Sequence, residues 1–320
     1  MELPSADLAA TSPEPDLGAV PDGFVVETAP GERIHFLDWG GPPIPSGNGV
    51  LLIHGLGGTA WGWTAVARRL RRVVRTVAMD LRGHGLSDAP TTEYDPTTLA
   101  EDVVAVAEGS GLLGGRVADT AAGAGGAERV VLAGHGYGAI VATWAADLLG
   151  DRCAGLVLVD GGWQDVAEET GLTPAEFLRD LAEPPEVLAS MDAFLADRQA
   201  WDPSHWDADE EHATRATVVE VPAGHVVPAV RPHAYERSVE AIFQYLPIAS
   251  LGELDVPIVA LVAVDDEDRS KSAALAEVQR ARAAAGRPEI AVTRFPDDGH
   301  NLPRYRPDEL AGAIRRLAAR

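Results

Sequence analysis

Six short apolar runs limit what this chain can fold into. Residues 50–55 (VLLIHG), 75–80 (RTVAMD), 129–134 (RVVLAG), 155–160 (GLVLVD), 257–264 (PIVALVAV) and 289–295 (EIAVTRF) have the length of strands. The run at 50–55 is continuously apolar, as a strand covered on both faces of a sheet is, and 75–80 reads as the next buried strand. Helical stretches separate them, at 60–72, 95–108, 137–149 and 271–285. Asp95-Pro96 reads as an N-cap followed by proline at the first helical position. Strands that alternate with helices make an α/β fold with a mostly parallel sheet, and right-handed crossovers place helices on both of its faces. Sites in such sheets form beyond the carboxyl ends of the strands. The loops that matter therefore follow His54, Asp80, Gly134, Asp160, Val264 and Phe295.

The rest of the chain fits around this frame. Residues 24–29 and 33–39 alternate apolar and polar around a Pro-Gly-Glu turn and predict a hairpin. Residues 111–128 are rich in Gly and Ala and read as a flexible insertion. Residues 163–247 hold helical pieces with few strand signals, including a capping box at Thr173-Pro174 and Glu176. Residues 1–22 are polar, contain proline and offer little to bury, so they are expected to be a disordered tail. The division is then a core of 23–162 and 248–320, with 163–247 as a helical lid inserted after the sixth strand.

Composition narrows the function. The 320 residues, 46% of them hydrophobic, suffice for one large core and an insert. A net charge of −23 repels phosphate backbones and anionic lipid heads, which argues against nucleic-acid and membrane partners and for a small-molecule substrate. The oligomeric state is left open. Cys153 is the only cysteine, so no intrachain disulfide or thiolate metal cage can form. The first residues lack the basic start and apolar run of a secretory signal, and a cytoplasmic location is expected. Of 26 lysine and arginine residues only Lys271 is lysine, which reads as the coding bias of a GC-rich genome.

Four motifs carry the chemistry. HGLGG (54–58) follows the first buried strand, DLRGHGLSD (80–88) the second and GHGYG (134–138) the third, while DDGHNL (297–302) follows the last. In this order and at these strand ends they resemble the α/β-hydrolase superfamily, from about residue 24 to the end of the chain. The resemblance implies an oxyanion loop at HGLGG, a nucleophile elbow at GHGYG and a catalytic histidine, His300. It also implies the backbone N–H groups of Leu56 and Tyr137 as an oxyanion hole.

The elbow departs from the family. Its middle residue is Gly136, where the pattern has Ser, or sometimes Asp or Cys. Glycine relieves the strain of the turn but supplies no nucleophile. Two accounts are open, an engineered Ser→Gly change made to trap a substrate and a native glycine; no tag or linker scar is visible and silencing changes are usually to alanine, which favours the native glycine. His300 as a base needs a carboxylate to orient it. Asp265, Asp266 and Asp268 compete for that role; the resemblance, through the family's usual strand spacing from Pro257, implies Asp266, with Asp160 the next choice because some branches of the family take the acid from that strand end. His54 is expected to be structural and His135 to point into the protein. Trp61, Trp63 and Trp163 are expected to wall the pocket, helped by Phe194, Trp201, Trp206, Phe243 and Tyr245 of the insert. His205, His212, His225 and His233 match no zinc spacing, and there is no dinucleotide or Walker loop, so neither metal nor cofactor is expected.

Three functions follow. The first is an enzyme that hydrolyses a small to medium apolar ester, thioester or lactone with an altered or absent nucleophile. The second is a lyase or cyclase using His300 as base on a carbon acid. The third is a catalytically dead ligand-binding protein. A base and hole kept together favour an enzyme over a binding protein.

Overall fold

The computed structural model describes residues 2–28, 31–42, 47–114, 127–263 and 269–320. The chain runs α1 (Ser5–Ala9), β1 (Asp22–Glu27), β2 (Arg33–Gly40), β3 (Gly49–Ile53), α2 (Thr64–Leu70), β4 (Thr76–Met79), α3 (Pro96–Gly109), β5 (Val130–His135), α4 (Tyr137–Leu149) and β6 (Cys153–Val159). A segment of short elements follows: α5 (Val166–Thr170), α6 (Pro174–Asp180), α7 (Met191–Trp201), α8 (Ala208–Arg215), β7 (Val218–Glu220), β8 (Val226–Pro228), α9 (Pro232–Phe243) and α10 (Pro247–Gly252). The chain closes with β9 (Ile258–Ala263), α11 (Arg269–Ala284), β10 (Ala291–Phe295), α12 (Leu302–Tyr305) and α13 (Pro307–Ala318).

Eight strands form one sheet in the order β1-β2-β4-β3-β5-β6-β9-β10. β1 and β2 make the expected antiparallel hairpin, β2 joins β4 antiparallel, and the other pairings are parallel. Every residue of β3, β4, β6 and β9 is buried, which explains why their sequences do not alternate. The side chains still divide by the period of two. Leu51 and Ile53 of β3 join the core with α3, α4, α10 and α11, whereas Val50 and Leu52 join the opposite core with α2 and α13. Asp95 caps α3 through the amides of Thr97 and Thr98, and the Thr173–Glu176 capping box opens α6.

Two expectations need adjustment. The first residues are not a disordered tail. Leu8 is fully buried, its carbonyl lies against Gly312 of α13, and Arg315 donates to the Thr11 carbonyl at 2.6 Å. Glu2 bridges Val292 in parallel, and the Leu3 amide donates to the Val292 carbonyl at 2.8 Å. One leucine with a deep slot to fill outweighs the polar residues around it. Leu8→Ala is therefore expected to cost about 2–5 kcal/mol, read as a lower urea midpoint, where an undocked tail shows no change. The segment between β6 and β9 is not purely helical, because β7 and β8 pair antiparallel and pack Val218 and Val226 against Phe194 and Leu195. The Gly/Ala-rich insertion falls mainly on 115–126, outside the described residues. No helix among the described residues is long and apolar enough to cross a membrane.

Candidate active site

β5 ends at His135 and α4 begins at Tyr137, so Gly136 makes the whole turn between them, at φ 53° and ψ −115°. Side-chain-bearing residues rarely adopt this conformation, and glycine holds it without strain. Gly138 lets α4 press onto the end of β3, since a Cβ there would collide with the carbonyl oxygens of Ile53 and His54. The turn thus keeps the sharp geometry that presents a residue at the top of the sheet.

His300 comes from the loop between β10 and α12. A Cβ built on Gly136 would lie 3.1 Å from His300 Nε2 and 3.3 Å from its Cε1. The other ring nitrogen, Nδ1, is 2.7 Å from Asp160 Oδ2. Nδ1 therefore carries the proton and donates to the carboxylate, which leaves the Nε2 lone pair facing the elbow. Asp160 sits just beyond β6 at φ 42°, a left-handed conformation that aspartate tolerates better than most residues. Its side chain is fully buried, and Oδ1 accepts from the Ala263 amide at 2.9 Å. Lys271 Nζ adds contacts of 3.0 Å to Oδ2 and 3.3 Å to Oδ1. Burial alone pushes the Asp160 carboxyl up, but the hydrogen bond and charge of His300, with the Lys271 ammonium, hold it below its ordinary range.

Asp160, the second choice from sequence, holds the His300 Nδ1 bond; Asp265, Asp266 and Asp268 lie outside the described residues. His135 packs its ring 4.4 Å from that of His300, and its Nε2 donates to the His300 carbonyl at 2.9 Å. Burial, then the neighbouring His300, push its pKa down to about 3, so it stays neutral and acts as a strut under the loop. Both nitrogens of His54 are taken by backbone. Nδ1 donates to the Gly55 carbonyl at 2.7 Å and Nε2 accepts from the Leu81 amide at 2.9 Å, a structural role. Asp80 ties the same loops, accepting from Ala60 N at 2.7 Å, Leu86 N at 3.0 Å and His35 at 2.8 Å.

Beyond the elbow lies a cavity of about 700 Å³. Leu56 and Tyr137 line it, and among the described residues neither of their amides donates to a protein acceptor. Trp63 is on its wall, as expected. Trp61 and Trp163 are not: Trp61 packs on His212 at 4.2 Å, and the fully buried Trp163 borders a separate space of about 290 Å³ beside Leu246 and Ile248. From the insert, Phe194 and Trp201 reach the main cavity, joined by Phe177, Leu181 and Tyr235, which sequence did not single out. Tyr245 instead donates to the Gly162 carbonyl at 2.7 Å, Phe243 packs on Phe177, and Trp206 lies under Arg304. His205 pairs with Asp202 and His233 meets the Ala89 carbonyl; no group of three or more potential metal ligands occurs among the described residues.

The family model for α/β hydrolases matches residues 50–313. The chain belongs to the α/β-hydrolase family. This α/β-hydrolase is 36% identical over 117 residues to N-formylmaleamate deformylase of Pseudomonas putida, and 31% identical over 120 residues to an uncharacterised protein of Mycobacterium tuberculosis. Those matches cover 33% and 37% of this chain, and only 42% and 30% of the two relatives. In fold it is similar to E-2-(acetamidomethylene)succinate hydrolase, with a TM-score of 0.69 at 19% identity, covering 93% of this chain and 99% of that one.

Chemically, this arrangement offers an oriented imidazole, two backbone amides and a largely apolar chamber. Where the family pattern places a nucleophilic side chain, Gly136 has none. Lys271, whose rarity sequence reading assigned to coding bias, meets Asp160 beside His300.

Proposed function

We propose that this α/β-hydrolase hydrolyses small to medium apolar esters, thioesters or lactones in the cytoplasm by direct attack of water, with no covalent acyl-enzyme and no cofactor. The observation that carries this reading is an elbow that keeps its turn geometry, bears no side chain at Gly136 and opens with His300 onto one cavity. A water held on the cavity side of the elbow hydrogen-bonds to Nε2. As its oxygen adds to the substrate carbonyl, its proton passes to Nε2, and Asp160 steadies the imidazolium that forms. The carbonyl oxygen becomes an oxyanion facing the Leu56 and Tyr137 amides. Collapse expels the alkoxide or thiolate, which takes the proton from Nε2, and the acid leaves with the base restored. The aromatic lining supports an apolar acyl or leaving group. Arg304 also faces the chamber, but its charge is engaged by Glu210 at 3.1 Å.

The test is turnover of a panel of short p-nitrophenyl esters, thioesters and lactones by the native chain and by His300→Gln. Slow hydrolysis without a burst is expected, falling by about 10²-fold or more in the variant. A burst of product equal to the enzyme concentration contradicts direct water attack. Equal rates in the two proteins remove His300 as the base. If every substrate is inert, base chemistry on a carbon acid takes the place of ester hydrolysis.

A further inference from the structure

In a chain that otherwise uses arginine for every strong base, the one lysine stands against the carboxylate that orients His300. We propose that Lys271 is a positioning residue for the His300–Asp160 pair. Its ammonium fixes Asp160 in place and offsets part of the carboxylate's charge where the imidazole proton meets it. This rests on the reading of His300 as the working base.

The geometry explains why an ammonium serves here and a guanidinium does not. Both oxygens of Asp160 already have a necessary partner: the Ala263 amide on Oδ1 and His300 on Oδ2. A guanidinium binds carboxylate as a rigid fork across both oxygens and would compete with the His300 bond. An ammonium is a compact point charge that approaches both oxygens from one side and displaces neither donor. Lys271 does this from the first turn of α11, at 3.0 and 3.3 Å, and also reaches the Ala263 carbonyl at 3.4 Å. It is one-fifth exposed while Asp160 is fully buried, so the charge acts on the carboxylate with little water between them.

Among the described residues, the titratable groups facing this pair come from three directions. His135, at the end of β5, stacks on His300 and stays neutral. Lys271 of α11 meets Asp160. On the cavity side, Glu210, Arg304 and Tyr305 share the chamber, and Arg304 and Glu210 pair with each other. Of these, Lys271 is the cation in direct contact with the dyad.

The rarity of lysine makes the experiment direct. Protein made with lysine labelled at Cε gives one such resonance, and His300 is assigned by the signal missing from His300→Gln. In the native protein the lysine resonance is expected to shift in step with the His300 titration, and to lose that step in His300→Gln. In Lys271→Met the midpoint of the His300 titration is expected to rise by about one pH unit. Lys271→Arg is expected to return the midpoint towards the native value while weakening the downfield signal of the proton between Nδ1 and Asp160. An unchanged or lower midpoint in Lys271→Met overturns the proposal. If that variant does not fold, a native lysine resonance indifferent to the His300 titration overturns it equally. None of these readings needs turnover, so a protein inert towards esters but showing the coupling would refute the proposed hydrolysis and leave the role of Lys271 standing.

Discussion

Gly136→Ser is expected to turn the protein into a covalent ester hydrolase, with turnover of short p-nitrophenyl esters about 10³-fold or more above the native chain. The elbow already has the dihedral angles of the turn, and the new Cβ lies 3.1 Å from His300 Nε2. That approach is tight by a few tenths of an ångström. The neighbour that must yield is a ring in a loop, with the His300 side chain 60% exposed, not a strand of the buried sheet. A hydroxyl on that Cβ then falls within hydrogen-bond reach of Nε2. The acyl-enzyme should appear as a burst of p-nitrophenol and as labelling by a fluorophosphonate, both absent from the native chain. The same substitution places a side chain at φ 53°, which costs about 1–3 kcal/mol of stability, so activity and melting temperature should move in opposite directions. A folded Gly136→Ser protein that neither turns over nor takes the label would falsify the account of an intact base and hole.

The second large effect belongs to Asp160. In the Gly136→Ser background, Asp160→Asn is expected to cut kcat by about 10⁴-fold, the loss seen when an orienting carboxylate becomes an amide and the histidine takes the wrong tautomer. The substitution nearly preserves shape. It replaces a carboxylate whose two oxygens accept from Ala263, His300 and Lys271 with an amide whose single oxygen can accept from only some of them. The Lys271 ammonium then faces a neutral partner in a largely buried place, and stability should fall as well. Asn substitutions at Asp265, Asp266 and Asp268 are the matched controls and are expected to leave kcat within a few-fold. A loss at Asp266→Asn equal to that at Asp160→Asn would show that the wrong strand end had been chosen.

The contrast between these acids shows how far the sequence could be read. The fold was legible because it rests on repeated local signals: fully apolar strands, a Pro-led helix behind Asp95, a capping box at Thr173. That Leu56, Gly136, Tyr137 and His300 meet at one cavity was legible because each belongs to a contiguous motif. The acids were harder to separate, since β6, which precedes Asp160, and β9, which precedes Asp265, Asp266 and Asp268, are neighbours in the sheet although far apart in sequence. The pocket wall failed for a related reason. Trp61 and Trp63 are two residues apart in one tight turn, so one faces His212 and the other the cavity. The docking of α1 depends on a slot made by α13 at the far end of the chain. The β7–β8 hairpin has strands of three residues, too short to leave a periodic trace.

The contact of the first residues with β10 bears on how copies of this molecule meet in a crowded solution. An open sheet ends in rows of unpaired amides and carbonyls that invite a strand from another molecule. Here β10 is one such border, and it is occupied from within the chain: the Leu3 amide takes the Val292 carbonyl, and the Thr293 hydroxyl takes the Leu3 carbonyl at 2.8 Å. The opposite border, β1, begins and ends on the exposed carboxylates of Asp22 and Glu27, on a molecule whose net charge of −23 already drives like copies apart. One border of the sheet carries a backbone contact from within the chain and the other is flanked by two carboxylates, and both features work against edge-to-edge association.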